Sequence, residues 1–130
     1  VEFDNRAIPA VVFTDPEISW CGITERRAEE LGYKINIGRF PLTALGRARA
    51  IGRTDGMVKV ISEPETNLIL GIGIVGPHAS ELISEGALAI EMGATLSDLT
   101  DTIHPHPTLS EAVMEAAEVA AGIGVHLPKG

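Results

Sequence analysis

Two histidines, each followed by a proline, stand just before a glutamate in residues 102–112, TIHPHPTLSEA. Proline disfavours the helical region for the residue before it, so His104 and His106 are predicted to be extended or in a turn ahead of a helix. Side chains in a first helical turn lean towards the N-terminus, so Glu111 can lie within hydrogen-bond reach of His106. The carboxylate would stabilise an imidazolium that the helix dipole opposes. Such a pair suits a general acid/base working near neutral pH.

Glu111 also has a purely structural interpretation. Thr108 and Glu111 form a capping-box pattern, in which the glutamate reaches back to the Thr108 backbone N–H. Spacing alone favours the cap, but the two interpretations are compatible because one carboxylate oxygen can serve each role. A metal site formed by His104 and His106 would need a third ligand, which the sequence does not indicate, so no metal site is predicted.

A glycine-rich run, GIGIVG at residues 71–76, matches the dinucleotide-binding pattern G-x-G-x-x-G. Its Ile and Val residues alternate as though one strand runs through the glycines, and Pro77 lacks the backbone N–H that a phosphate would need. No strand ending in an acidic residue follows about 20 residues later. The glycines are therefore predicted to lie in a central strand and to let another backbone or helix approach closely.

The elements that must position these residues are read from apolar spacing and from turn residues. Thr24 is predicted to cap a helix that ends before Gly32, with Ala28 and Leu31 facing inward, and the Ala10 strand is predicted to be buried. Strands are predicted at residues 10–14, 33–40, 57–61 and 68–75, and helices at residues 24–31, 79–92, 97–101 and 109–121. This order predicts an α+β fold, with a mainly antiparallel sheet of about four or five strands flanked by helices.

Composition excludes several classes of function. The 130 residues carry a net charge of −8, which opposes binding to nucleic acid. The longest apolar stretch, residues 68–75, is far shorter than the roughly 18 to 20 residues of a membrane span, so no membrane partner is predicted. Cys21 is the only cysteine, which favours a reducing cytoplasm or organelle matrix and predicts a small packed side chain rather than a reactive thiol.

Five segments together resemble one enzyme family: FTDPE, GRARA, GIGIVGPHASELI, ALAIEMGAT and TIHPHPTLSEA. The chain resembles the C-terminal interface domain of the dihydrolipoamide dehydrogenases, in the pyridine nucleotide-disulfide oxidoreductase family. The resemblance implies that His106 exchanges a proton with the dithiol substrate and the active-site cysteines of the partner subunit, that Glu111 pairs with it, and that the His106-Pro107 peptide is cis. It also implies that the backbone at His104 and Pro105 approaches the partner's flavin.

The resemblance further implies that residues 1–130 form one dimerisation domain of a longer flavoenzyme, which the first residue, Val1, also favours. The whole enzyme would use FAD and NAD to oxidise protein-bound dihydrolipoamide, whereas the fragment alone would bind neither cofactor and be inactive. Small residues on the helices at 79–92 and 109–121 are predicted to line a homodimer interface. Trp20, Cys21 and Gly73 depart from the residues common in the family.

The implied second partner is the basic peripheral subunit-binding domain of a dihydrolipoyl acyltransferase, in an assembly such as the pyruvate dehydrogenase complex. Asp4 and Glu91 are the candidate contacts, and the charge of −8 is compatible with electrostatic steering of a basic partner. Two alternatives remain: the interface domain of another disulfide reductase, or an oligomerisation or binding module without catalytic ancestry.

Overall fold

A five-stranded antiparallel sheet forms the centre of the computed structural model, which describes residues 7–122. The strand order is β1-β2-β5-β4-β3, and every neighbouring pair is antiparallel. The strands are β1 Ala10–Val12, β2 Glu17–Gly22, β3 Asn36–Pro41, β4 Met57–Ser62 and β5 Ile69–Gly76. The helices are α1 Glu25–Leu31, α2 Gly46–Ala50, α3 Ala79–Glu91, α4 Leu96–Thr100 and α5 Glu111–Ala121, and a 3-10 turn spans Leu42–Ala44. The predicted α+β class and antiparallel sheet are confirmed.

One face of the sheet is covered by α3 and α5 and holds the main core. Side chains alternate between the two faces of a strand, so β4 and β5 place every second residue under the helices. Asn36 ties α5 to β3 by donating from Nδ2 to the Ala120 carbonyl oxygen at 2.5 Å. The fully buried residues of this face include Phe40, Val58, Val60, Ile72 and Ile74.

The small residues of α5 contradict the predicted dimer contact. Ala112, Ala116, Ala117 and Ala120 are at most 1% exposed. They allow α5 to lie close to β3 and β4 of its own chain, so they leave no surface for a second copy. An alanine-rich helix face permits close packing, but its sequence does not say whether the neighbour is a sheet or another subunit.

The opposite face of the sheet is more open. Ile18 and Trp20 are 38% and 39% exposed there, beside Met57 and Val75 in a shallow groove. At one end of this face Glu25 of α1 accepts hydrogen bonds from Lys59 Nζ at 2.5 Å and Arg39 Nη2 at 2.7 Å. These two hydrogen bonds join α1 to β3 and β4.

The hydrogen bond from Lys59 holds the pKa of the Glu25 carboxyl below its usual value. Since the pKa is depressed by folding, this stability is present at neutral pH and is lost as the pH falls through the folded-state pKa. We expect Glu25→Gln to lower the free energy of unfolding by up to about 1 kcal/mol at pH 7, because the pair is partly exposed. Urea titrations should show the difference vanishing in acid, where both states are protonated. A Glu29→Gln control on the exposed side of α1 should change little; an equal loss at both pH values would contradict the assignment.

Two strand predictions are wrong in detail. The β1 strand ends at Val12, and Val12 and Phe13 are 42% and 76% exposed because β1 is an edge strand rather than a buried one. The predicted strand at 33–40 begins only at Asn36, and Tyr33 is 56% exposed.

Helix α1 has the predicted Thr24 cap and Gly32 stop, with Ala28 buried, but Leu31 is 44% exposed rather than inward.

Candidate acid/base site at the start of α5

His106 and Glu111 are in contact at the surface. The imidazole Nδ1 lies 3.1 Å and 3.0 Å from the two carboxylate oxygens of Glu111. The His106 side chain is 77% exposed, whereas that of Glu111 is 14% exposed. Since a carboxylate only accepts, Nδ1 carries the proton of this bond. Nε2 is left as the reactive nitrogen, with no hydrogen-bond partner within residues 7–122.

Glu111 also makes the predicted contact with the Thr108 backbone, but the full capping box is absent, because α5 begins only at Glu111 and its N-cap is Ser110, which makes no side-chain cap hydrogen bond. The Thr108 backbone N–H donates to Glu111 Oε1 at 2.8 Å, so both interpretations of the spacing describe real contacts. Glu111 is the first residue of α5, and the buried alanines behind it fix the helix on the sheet. Thr108 Oγ1 donates to the Pro105 carbonyl oxygen at 2.7 Å and closes the turn that contains His106. The His106-Pro107 peptide is cis, as the resemblance implies.

His104 has the opposite environment from His106. Its side chain is 5% exposed and its ring lies against Glu85 of α3. Pro105, in contrast, is exposed beside His106. The two histidines therefore do not converge, and within residues 7–122 no group of three His, Cys, Asp or Glu side chains could hold a metal ion. The contact with Glu85 was not predicted, since no local spacing relates residues 85 and 104.

Of the remaining predicted residues, Cys21 lies in β2 and Glu91 in α3. Cys21 is 1% exposed, and burial raises the pKa of its thiol, which disfavours the reactive thiolate. Glu91 is the half-buried last residue of α3, six residues and so about 9 Å along the helix from Glu85. Asp4 lies outside the described residues.

The glycine run at 71–76 lies wholly inside β5. All but its last residue have register partners on both β2 and β4 within this central strand. A phosphate-binding loop needs free backbone N–H groups at a helix N-terminus, and a paired strand has none to offer. The prediction of a strand rather than a nucleotide site is confirmed.

None of the helices in the described part of the chain is long and apolar enough to cross a membrane.

The comparisons with known proteins agree on one domain type. The family model for the pyridine nucleotide-disulphide oxidoreductase dimerisation domain matches residues 8–117. The chain belongs to this family. It is 56% identical over 126 residues to a dihydrolipoyl dehydrogenase of Haloferax volcanii and 52% identical over 120 residues to one of Thermus scotoductus. These alignments cover 97% and 92% of the chain but 26% of each relative, so the chain spans about a quarter of their length.

Solved structures of disulfide reductases share the fold of this dimerisation domain. LpdA from Mycobacterium tuberculosis superposes with a TM-score of 0.85 at 30% identity, over 91% of this chain and 26% of that one. The HOCl-induced flavoprotein disulfide reductase RclA from Escherichia coli gives a TM-score of 0.80 at 33% identity, over 85% of this chain and 25% of that one. The predicted family and fold are therefore confirmed over most of the chain.

Proposed function

We propose that this chain is the dimerisation domain of a dihydrolipoyl dehydrogenase and that His106, supported by Glu111, is the acid/base group of the partner subunit's disulfide site. The observation that carries the proposal is the exposed His106 imidazole, whose Nδ1 is held by Glu111 while Nε2 makes no hydrogen bond within the described residues. An acid/base group that serves another subunit has to be presented at the surface. The names of the relatives supply the substrate class.

The reaction converts a dithiol and NAD⁺ into a disulfide, NADH and one proton. A thiolate, not a thiol, attacks a disulfide, so a base must take the proton of the substrate dithiol. His106 Nε2 would accept that proton, and the Glu111 carboxylate at Nδ1 would stabilise the imidazolium. FAD and NAD, bound by the rest of the enzyme, would carry the electrons from sulfur to the nicotinamide. Pro105 is exposed beside His106, which fits an approach of this backbone to the partner's flavin.

The substrate decides between the proposal and its closest alternative. A full-length enzyme that carries this chain should form NADH from NAD⁺ and dihydrolipoamide, which the rise in absorbance of the reduced nicotinamide of NADH would measure. Reduction of glutathione disulfide by NADPH, without dihydrolipoamide oxidation, would instead identify another disulfide reductase. Activity with neither dithiol nor disulfide in a flavin-loaded dimer would favour the module without catalytic ancestry.

We further propose that the homodimer uses the outer side of α3. Leu88 and Met92, four residues apart, are 64% and 74% exposed, and Ile103 is 95% exposed. Leu88 and Met92 are neighbours on one side of the helix, adjacent exposed apolar side chains favour an interface, and a second copy is the occupant that the dimerisation-domain family implies. The double substitution Leu88→Glu and Met92→Glu should weaken dimerisation about tenfold or more, measured by light scattering over a concentration series. Leu31→Glu, at a leucine of α1 that is 44% exposed, is the control; an unchanged dimer in the double variant would contradict this face.

The basic subunit-binding domain of a dihydrolipoyl acyltransferase is the proposed second partner, with Asp4 and Glu91 as contacts. The net charge of −8 supports electrostatic steering of such a partner. Glu91→Lys in the dimeric enzyme should weaken docking, and the loss should shrink as salt is added. Titration calorimetry at several salt concentrations would measure it, with Glu65→Lys in the β4–β5 turn as the control. Equal affinities for the wild type and the Glu91 variant would remove this residue from the interface.

A further inference from the structure

The buried histidine next to the acid/base residue has both ring nitrogens bonded. His104 Nδ1 lies 2.9 Å from the Thr102 carbonyl oxygen, and Nε2 lies 2.5 Å from Glu85 Oε2. A carbonyl oxygen can only accept, so Nδ1 donates to Thr102 and the remaining ring nitrogen shares one proton with the Glu85 carboxylate. Buried polar groups keep one orientation when all their partners are present. The ring of His104 is therefore held in a single place.

Glu85 in turn is fixed to the sheet through its own helix. The next residue, Gly86, brings the α3 backbone against Ile72 of β5: a Cβ at position 86 would lie 2.9 Å from Ile72 Cδ1. Because residue 86 has no side chain, the α3 backbone packs directly against this residue of the sheet. The packing of α3 on the sheet therefore fixes where Glu85 lies, and Glu85 in turn fixes where His104 lies.

His106 stands between two anchors. Before it, His104 is held by Glu85 and Thr102. After it, Thr108 bonds both to Pro105 and to the Glu111 carboxylate. The imidazole itself is 77% exposed, so it has little packing of its own to define its location. Its placement depends on the two anchors.

We infer that Glu85 and His104 are positioning residues for His106, which hold the segment at 104–106 where its exposed imidazole meets the substrate of the partner subunit. The inference rests on the proposed function, because it assigns the contact between Glu85 and His104, which we call the brace, to that same site. A displacement of about 1 Å of a reacting group can lower a rate by 10². The brace is one of two anchors, so its loss should lower the rate by about tenfold.

The test uses a full-length enzyme that carries this chain. Glu85→Ala should lower the kcat of dihydrolipoamide oxidation about tenfold, while the NADH-driven reduction of ferricyanide, which involves no dithiol proton, stays unchanged. Glu85→Gln keeps a hydrogen-bonding group and should recover part of the loss. Glu81→Ala, at an exposed glutamate one turn earlier in α3, is the matched control. In a His106→Gln background Glu85→Ala should cause no further loss, because residues that act as a unit are not additive.

Two results would overturn the brace: equal rates for Glu85→Ala and Glu81→Ala, or losses that multiply in the double variant with His106→Gln. Should Glu85→Ala not fold, His104→Gln decides: its kcat of dihydrolipoamide oxidation should be about tenfold below that of Glu81→Ala, with no further loss in a His106→Gln background. Full activity of His106→Gln would instead sink the proposed function itself. The brace alone fails if His106→Gln is inactive while the Glu85 and His104 variants are not.

Discussion

Replacement of His106 by glutamine should lower the rate of dihydrolipoamide oxidation by about 10² to 10⁴, the usual contribution of a general acid/base group. Glutamine keeps a hydrogen-bonding amide but cannot take a proton from a thiol near neutral pH. The side chain is 77% exposed and outside the core, so the fold and the dimer should remain. Steady-state kinetics in the full-length enzyme, with light scattering on the same samples, would measure both.

Two further variants serve as controls for the His106 substitution. His78→Asn replaces another exposed histidine, at a positive φ of 63° that asparagine tolerates, and should leave the rate unchanged. Glu111→Gln keeps an acceptor for the Thr108 backbone N–H but removes the negative charge beside His106. A rate loss in Glu111→Gln with unchanged thermal stability would assign the carboxylate to the chemistry; a wild-type rate would leave it only the cap. Wild-type turnover in His106→Gln would contradict the acid/base role.

Local rules predicted the part of the site that is local in sequence. The prolines, Thr108 and Glu111 lie within eight residues of His104, and each acts on its neighbours through backbone restriction or a helix cap. The structure has these contacts where the spacing puts them. The burial of His104 could not be predicted, because its partner Glu85 reaches it only once α3 has packed on the sheet.

The fold shows the same division. Strands β4 and β5, the caps of α1 and the extent of α3 follow from sequence patterns. Strand β2 was missed because its pattern is inverted: Ser19 is 1% exposed and donates to the Ala79 carbonyl oxygen, while Ile18 and Trp20 lie on the open face. Apolar alternation identifies a strand, but which face is covered depends on where the helices pack. A buried serine is acceptable only because α3 supplies an acceptor.

The substitution Gly71→Ala should lower the free energy of unfolding by about 3 kcal/mol. A Cβ at position 71 would lie 2.0 Å from the carbonyl oxygen of Ile23 and 3.0 Å from its carbonyl carbon. These are backbone atoms, and Ile23 N–H is itself bonded to the Leu70 carbonyl oxygen at 2.9 Å. A side chain could rotate away from a new methyl group, but a bonded backbone segment has to be displaced as a whole. Urea titration of the chain would measure the loss.

The matched variant lies two residues further along the same strand. At Gly73 a Cβ would have no heavy atom within 4 Å, so Gly73→Ala should leave stability unchanged or raise it by about 0.5 kcal/mol through the smaller entropy of the unfolded chain. Because both glycines belong to the same G-x-G-x-x-G run, a phosphate-loop role would make them similarly sensitive. Equal tolerance of alanine at both positions would contradict the close approach of Ile23, which is the reason that β5 has a glycine at position 71.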